Sequence, residues 1–305
     1  MTHLRDIDPQ DSAERAEFDA VAAAATTADG YAPFNEQSLF DLNAGRRTPH
    51  LLAVSPIEPS TAPGPVVGAA ITGLGELDLV IAPRHRRLGH GAAALQELLA
   101  EAGGELTAWS HGDHPGARAL AGRFGFLAVR TLLELRMPLP ALNPDRSQAT
   151  PDGTPVFTID TFSPQNDSAE WVALNALVFA AHPEQGAITA DDLAARQAEN
   201  WFAAEDFLIA RTADGRMVGY NWLKVDGDIG EIYVLGVHPD TAGAGLGRTL
   251  MNAGLTRLAE RGATTAALYV EADSVGPVHL YRSLGFTDHT VDVQYHRASP
   301  GDQPV

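Results

Sequence analysis

The 305-residue chain has no cysteine, which excludes disulfides and thiolate metal sites and suits a reducing compartment. Basic residues are scarce: 21 Lys and Arg stand against 39 Asp and Glu, a formal net charge of −18. A surface of that sign repels phosphate backbones, so no nucleic acid partner is expected. No apolar run reaches the length of a membrane span, and the opening Met-Thr-His-Leu-Arg-Asp lacks the apolar stretch of a signal peptide. The expectation is therefore a cytoplasmic chain with no membrane partner, acting as a monomer. The eleven histidines form no metal pattern: His111-x-x-His114 and His182-Pro lack helical zinc spacing, and they read as loops or caps. Hydrophobic residues make up 45% of the chain, enough for two domains to bury separate cores.

What the chain does have is a repeat. Leu235 to Gly247 reads Leu-Gly-Val-His-Pro-Asp-Thr-Ala-Gly-Ala-Gly-Leu-Gly, and Leu79 to Gly91 reads Leu-Val-Ile-Ala-Pro-Arg-His-Arg-Arg-Leu-Gly-His-Gly. Each is an apolar strand, a proline, a glycine-rich turn and an Ala/Leu-rich helical run. That order points several backbone N–H groups at one spot on a helix N-terminus, where a pyrophosphate docks. Arg84, Arg86 and Arg87 flank the first turn and are expected to add charge at the same spot.

A second block repeats without a gap. Ala108 to Phe126 aligns with Leu268 to Phe286, matching Asp113 with Asp273, Gly116 with Gly276 and Gly125-Phe126 with Gly285-Phe286. Five prolines between Met137 and Pro155 mark a linker. The spacing gives domains at 1–138 and 156–305 joined by 139–155, each an α/β unit with a central sheet. In the first half it predicts helices near Asp11–Ala24, Glu36–Asn43 and Gly89–Ala102, and strands near His50–Val54, Val66–Thr72 and Glu76–Ile81. In the second it predicts helices near Glu170–Ala180, Ala190–Asn200 and Leu246–Arg261, and strands near Phe207–Arg211, Met217–Val225 and Glu231–Val237.

These blocks, in this order and twice over, resemble the GNAT superfamily of N-acetyltransferases: a strand, Gln/Arg-x-x-Gly-x-Gly/Ala, a helix, then a strand, a helix with a Tyr, and Gly-Phe. The resemblance implies two tandem GNAT domains, each a mixed sheet flanked by helices, with acetyl-CoA as cosubstrate and an expected site for it in each domain. The finer runs His182-Pro-Glu-Gln-Gly186, Gly219-Tyr-Asn-Trp-Leu-Lys224, Gly230-Glu-Ile-Tyr-Val-Leu-Gly-Val237 and Tyr281-Arg-Ser-Leu-Gly-Phe286 are similar to its mycothiol-forming branch. Those enzymes acetylate the amine of a cysteinyl glucosaminyl inositol. Two positions depart from the superfamily: Ala242 stands where Gln or Arg is usual, and Ser274 where Asn is frequent.

By resemblance, Leu79, Val80, Ile81, Arg86, Arg87, Gly89 and Gly91 hold acetyl-CoA in the first half. In the second, Leu235, Gly236, Val237, Ala242, Gly243, Ala244, Gly245, Leu246, Gly247 and Arg248 do so. Backbone N–H groups at Leu235–Val237 would polarise the thioester carbonyl, and Gly236 would allow close approach of the ligand. Glu231 is the expected general base and lies on one strand face with Tyr233 and Leu235. Tyr281 is the expected general acid toward the leaving thiolate. Glu36, Glu184, Lys224, Glu231 and Tyr269 are expected to contact the acceptor. Glu36 lies in the first half, so the acceptor would occupy a cleft between domains.

The first half has Gly75 and Ala121 where the second has Glu231 and Tyr281, so catalysis is expected only in the second. The first half would bind acetyl-CoA without turning it over. Two other readings remain open: a tandem acetyltransferase acting on another amine such as an aminoglycoside, and a non-catalytic acetyl-CoA sensor.

Overall fold

The structure, a computed structural model, describes residues 2–55, 64–102, 104–139, 157–180, 182 and 185–299. Two compact units share the chain. Unit 1 comprises Met1–Leu133, Glu271–Asp273 and Thr290–Val305, and unit 2 comprises Glu134–Val270 and Ser274–His289.

The first half of the chain folds as β1 (Thr2–Asp6), α1 (Ser12–Asp29), α2 (Glu36–Asn43), β2 (Thr48–Val54), β3 (Val66–Gly73), β4 (Glu76–Ile81), α3 (His90–Ala102), β5 (Leu106–Ser110), α4 (Pro115–Phe124) and β6 (Leu127–Pro138). The second half continues as β7 (Thr158–Thr161), α5 (Pro164–Val178), α6 (Ala190–Gln197), β8 (Phe207–Arg211), β9 (Met217–Asp226), β10 (Ile229–Val237), α7 (Leu246–Glu260), β11 (Thr265–Glu271), α8 (Val275–Leu284) and β12 (Thr287–Arg297). The chain changes unit within β6 and again within β12, so part of the last strand is built into unit 1. β6 runs through Met137 and Pro138, where the proline pattern predicts linker; the rest of that segment, residues 140–156, lies outside the described residues.

In unit 1 the strand order is β1-β2-β3-β4-β5-β12, and in unit 2 it is β7-β8-β9-β10-β11-β6. Successive strands from β1 to β4 and from β7 to β10 are antiparallel neighbours. The β4–β5 and β10–β11 pairs are parallel, because a helix carries the chain across between them. Each unit therefore has one sheet covered on two faces. In unit 1, Phe18, Leu42, Leu51, Ile71 and Val80 pack against the α1 face, and Leu52, Leu77, Leu95, Leu98 and Phe126 form the other core. In unit 2, Trp171, Phe207, Tyr220 and Trp222 stack beneath α5, with Phe207 and Trp222 ring centroids 4.5 Å apart. Burying such faces drives assembly and dominates the stability of helices this short.

Candidate functional site

Each parallel pair is joined at one end and open at the other. β4 and β5 pair Glu76 with Thr107, yet β4 runs on to Ile81 with no further partner on β5 among the described residues. β10 and β11 pair from Ile229–Thr265 to Ile232–Leu268, and β10 then continues to Val237. Backbone N–H and C=O groups facing these gaps are left for an extended, amide-bearing ligand arm.

A glycine turn closes the wide end of each gap. Gly243 and Gly245 both have φ of +81°, and Arg87 and Gly89 repeat that shape at +63° and +88°. Alternating left-handed residues turn successive N–H groups into one concavity. α7 begins at Leu246 behind Gly245, which supplies no side-chain cap, so its first N–H groups remain for an anion. Ala242, Gly243 and Ala244 are exposed beside it. A Cβ on Gly89 or Gly245 would meet nothing, so these glycines serve backbone shape and not space. A Cβ on Gly91 would crowd Leu120 at 3.3 Å, and one on Gly247 would touch Leu280 at 3.6 Å, so these glycines pack their helices. The Leu246 side chain is in the core with Leu250, leaving only its backbone for a ligand. Arg248 donates to Ser283 at 2.7 Å.

Two of the expected ligand residues have partners within the protein. Arg86 is engaged beside the turn. Its guanidinium holds Asp29 through bonds of 2.6 and 2.7 Å and the Ile81 carbonyl at 3.0 Å, tying the turn to the end of α1. The Arg86 hydrogen bond holds the Asp29 carboxyl below its usual range. Gly236 does not leave its space for a ligand. A Cβ there would fall 2.4 Å from the Tyr220 ring, so the missing side chain admits a buried phenol.

Unit 1 has a cavity of about 640 Å³ running along its gap, lined by Leu79, Ile81, Gly89, Gly91, Tyr31 and His111 among others. The Val80 side chain faces the opposite core. At the polar end, His111 Nδ1 meets Asp292 at 2.8 Å, and His114 caps α4 by accepting from Gly116 N–H at 3.0 Å. Burial first, and Arg86 second, lower the pKa of His114. The sequence pattern had no signal for Asp29, Tyr31 or Asp292, whose partners lie tens to hundreds of residues away.

In unit 2, burial along β10 alternates strictly, placing Glu231, Tyr233 and Leu235 on the half-buried face. A register shift between Ile232 and Val234 breaks the ladder to β9 just where pairing to β11 ends. Glu231 therefore sits at the mouth of the gap, opposite Lys224 on β9 and Ala267 on β11. The Lys224 ammonium lies 5.1 Å from the Trp201 ring centroid and 5.7 Å from that of Tyr233, a cation–π contact with both rings. Tyr281 is buried on α8, and burial pushes its phenol up to about 12. Tyr269 on β11 is 47% exposed. Ser274, at the start of α8, makes no side-chain cap. Glu36 is an exposed first residue of α2 in unit 1, and Glu184 lies outside the described residues. No group of three His, Cys, Asp or Glu residues that could hold a metal occurs among the described residues. No described helix is long and apolar enough to cross a membrane.

Two gapped sheets, each with an anion-binding turn, define a tandem acyl-CoA N-acyltransferase fold. The model of the acetyltransferase (GNAT) family matches residues 64–126 and 171–286. The mycothiol acetyltransferase of Clavibacter sepedonicus is 47% identical over 283 residues, covering 92% of this chain and 90% of that protein. That of Thermomonospora curvata is 44% identical, covering 92% and 93%. A tandem GNAT protein from the clavulanic acid biosynthesis pathway superposes with a TM-score of 0.71 at 18% identity over 100% of both chains. A GCN5-related N-acetyltransferase from Sphaerobacter thermophilus gives 0.70 at 22% identity, covering 97% and 95%. The chain belongs to the GNAT acetyltransferase family, in its mycothiol acetyltransferase branch.

Proposed function

We propose that unit 2 transfers the acetyl group of acetyl-CoA to the cysteinyl amine of a cysteinyl glucosaminyl inositol, and that unit 1 holds a second acetyl-CoA without consuming it. The reading is carried by relatives named mycothiol acetyltransferase that match nine-tenths of the chain. The asymmetry of the two gaps supports it: the register shift in β10 makes Glu76, not Gly75, the counterpart of Glu231, and Glu76 is held by Arg47 at 2.9 Å, while Tyr281 has Ala121 as its counterpart.

Glu231, through water, takes a proton from the acceptor ammonium, since an amine with pKa near ~8 is mostly protonated at neutral pH. The freed lone pair attacks the acetyl carbonyl, whose oxygen is met by backbone N–H groups of Leu235–Val237. The attacking nitrogen gives up its second proton to solvent water, the carbon–sulfur bond breaks, and the electron pair leaves on sulfur as the thiolate. A thiol pKa lies near ~8.5. Burial keeps the Tyr281 phenol neutral, and Tyr281 is assigned as the hydrogen-bond donor that steadies the departing sulfur. Lys224, packed against the rings of Trp201 and Tyr233, presents a cation on the acceptor side.

The test is acetyl-CoA-dependent consumption of the cysteinyl amine, with the product mass determined. A mono-N-acetylated product supports the reading. Acetylation of aminoglycosides with none of the cysteinyl amine moves the acceptor to another class, and binding without turnover of any amine leaves a sensor.

A further inference from the structure

The cavity of unit 1 has two ends of different chemistry. At the wide end of the gap stands the turn of Arg87 and Gly89, with the start of α3 behind it. From there the lining passes from Ile81 to Leu77 along β4 and from Gly91 to Leu95 along α3. That path leads to the closed end of the gap, where Glu76 pairs with Thr107. Leu77, Leu95, Ala121 and Phe126 line the cavity there, and all belong to one apolar core.

The opening at this end traces to one residue. α4 and α8 finish alike: Phe126 N–H donates to the Ala121 carbonyl at 2.9 Å, and Phe286 N–H donates to the Tyr281 carbonyl at 3.2 Å. Ala121 and Tyr281 therefore occupy the same place within their own units. In unit 2 the Tyr281 ring stands edge-on to Phe286, with centroids 6.2 Å apart. Unit 1 has only a methyl group at that position, and both Ala121 and Phe126 line the cavity.

A void walled by apolar core side chains stays dry and takes an apolar group in preference to water. A coenzyme with its pyrophosphate at the turn sends its arm toward the closed end and presents its acyl group there. We propose that unit 1 holds an acyl-CoA whose acyl chain is longer than acetyl, with that chain seated among Leu77, Leu95, Ala121 and Phe126. The proposal rests on the functional reading above, in which unit 1 binds a coenzyme without consuming it, and names the ligand class that fits. The two units then prefer different coenzymes: unit 2 spends acetyl-CoA, and unit 1 senses a longer acyl thioester.

The test is binding calorimetry of the full chain with acetyl-, propionyl- and butyryl-CoA, in the absence of an amine acceptor. Gly89→Val weakens one of the two sites and so marks the one in unit 1. At that site affinity rises by about fourfold for each added methylene, the scale of full apolar burial. At the other site it does not rise. Ala121→Phe fills the place of the missing ring, so it abolishes the rise and keeps acetyl-CoA binding. The wild-type series decides the question even if Ala121→Phe does not fold. Affinity that stays level or falls with chain length at the Gly89-sensitive site, or the same rise at both sites, overturns the acyl pocket while unit 1 remains a coenzyme site. One coenzyme bound per chain at every acyl length overturns both.

Discussion

The two units share a scaffold and differ in what stands at its opening. Both have a parallel strand pair that parts, and both end the gap in a turn with two left-handed residues. Unit 1 reaches its left-handed position with Arg87 where unit 2 uses Gly243, so the backbone shape is kept even at the steric cost of a side chain. The differences lie elsewhere. β10 has a register shift beside Glu231, whereas the β3–β4 ladder runs from Gly68–Ile81 to Gly73–Glu76 without one. Tyr281 has its counterpart in Ala121, buried in the unit 1 core. Binding geometry is thus present twice, while the buried phenol occurs once and the unit 1 carboxylate, Glu76, is held by Arg47. An anion nest and an open strand edge suffice to hold a coenzyme; turning it over needs side chains at the point where the strands part.

The largest expected effect comes from Glu231→Gln, which keeps shape and removes the base. It should lower kcat by about 10²-fold or more while acetyl-CoA still binds, measured by thiol release alongside binding calorimetry. Tyr281→Phe is next, with a loss of about tenfold for one hydrogen bond to a developing charge. The pH dependence sharpens this assignment. The working phenol is the neutral one, and burial raises its pKa from 10 to about 12, so it remains neutral through the ordinary assay range. A pH–rate profile should therefore show no falling limb that disappears in Tyr281→Phe below about pH 10. Gly236→Ala forces a methyl into the Tyr220 ring and should cost about 1–3 kcal/mol of stability by denaturant unfolding. Gly89→Val strains a residue at φ +88° and should weaken binding in unit 1 while altering acetyl transfer by less than about twofold. Equal rate losses from Gly89→Val and Glu231→Gln would erase the distinction between the units.

Much of the fold was legible because it is periodic or punctuated. The spans of α2, β4 and β8 follow from the residues at their ends, and β3, β9 and α7 from apolar pattern bounded by glycines and charge. α5 begins at Pro164, earlier than its apolar stretch suggests, because proline is favoured in a first turn. The strands β1 and β7 are short edge strands with little apolar content, and pattern alone does not find them. The sharing of β12 between units is a matter of long-range pairing, which a local reading cannot contain: Val293–Ser110 and Arg297–Leu106 join residues nearly two hundred positions apart. The same limit applies at the sites. Glu231 and the glycine turns are local motifs and were visible. The Asp29–Arg86 pair, the Tyr220 ring under Gly236 and the Tyr220–Asn175 hydrogen bond join separate elements and were not.

The division of labour between the units is tested most directly by a single-turnover experiment. The protein is saturated with radiolabelled acetyl-CoA, freed of excess, and mixed with the cysteinyl amine, and bound acetyl is followed as thioester or amide. One working and one holding site predict that the unit 2 share appears as amide in a fast phase while the unit 1 share remains intact thioester. Transfer of all bound acetyl in one phase would contradict it.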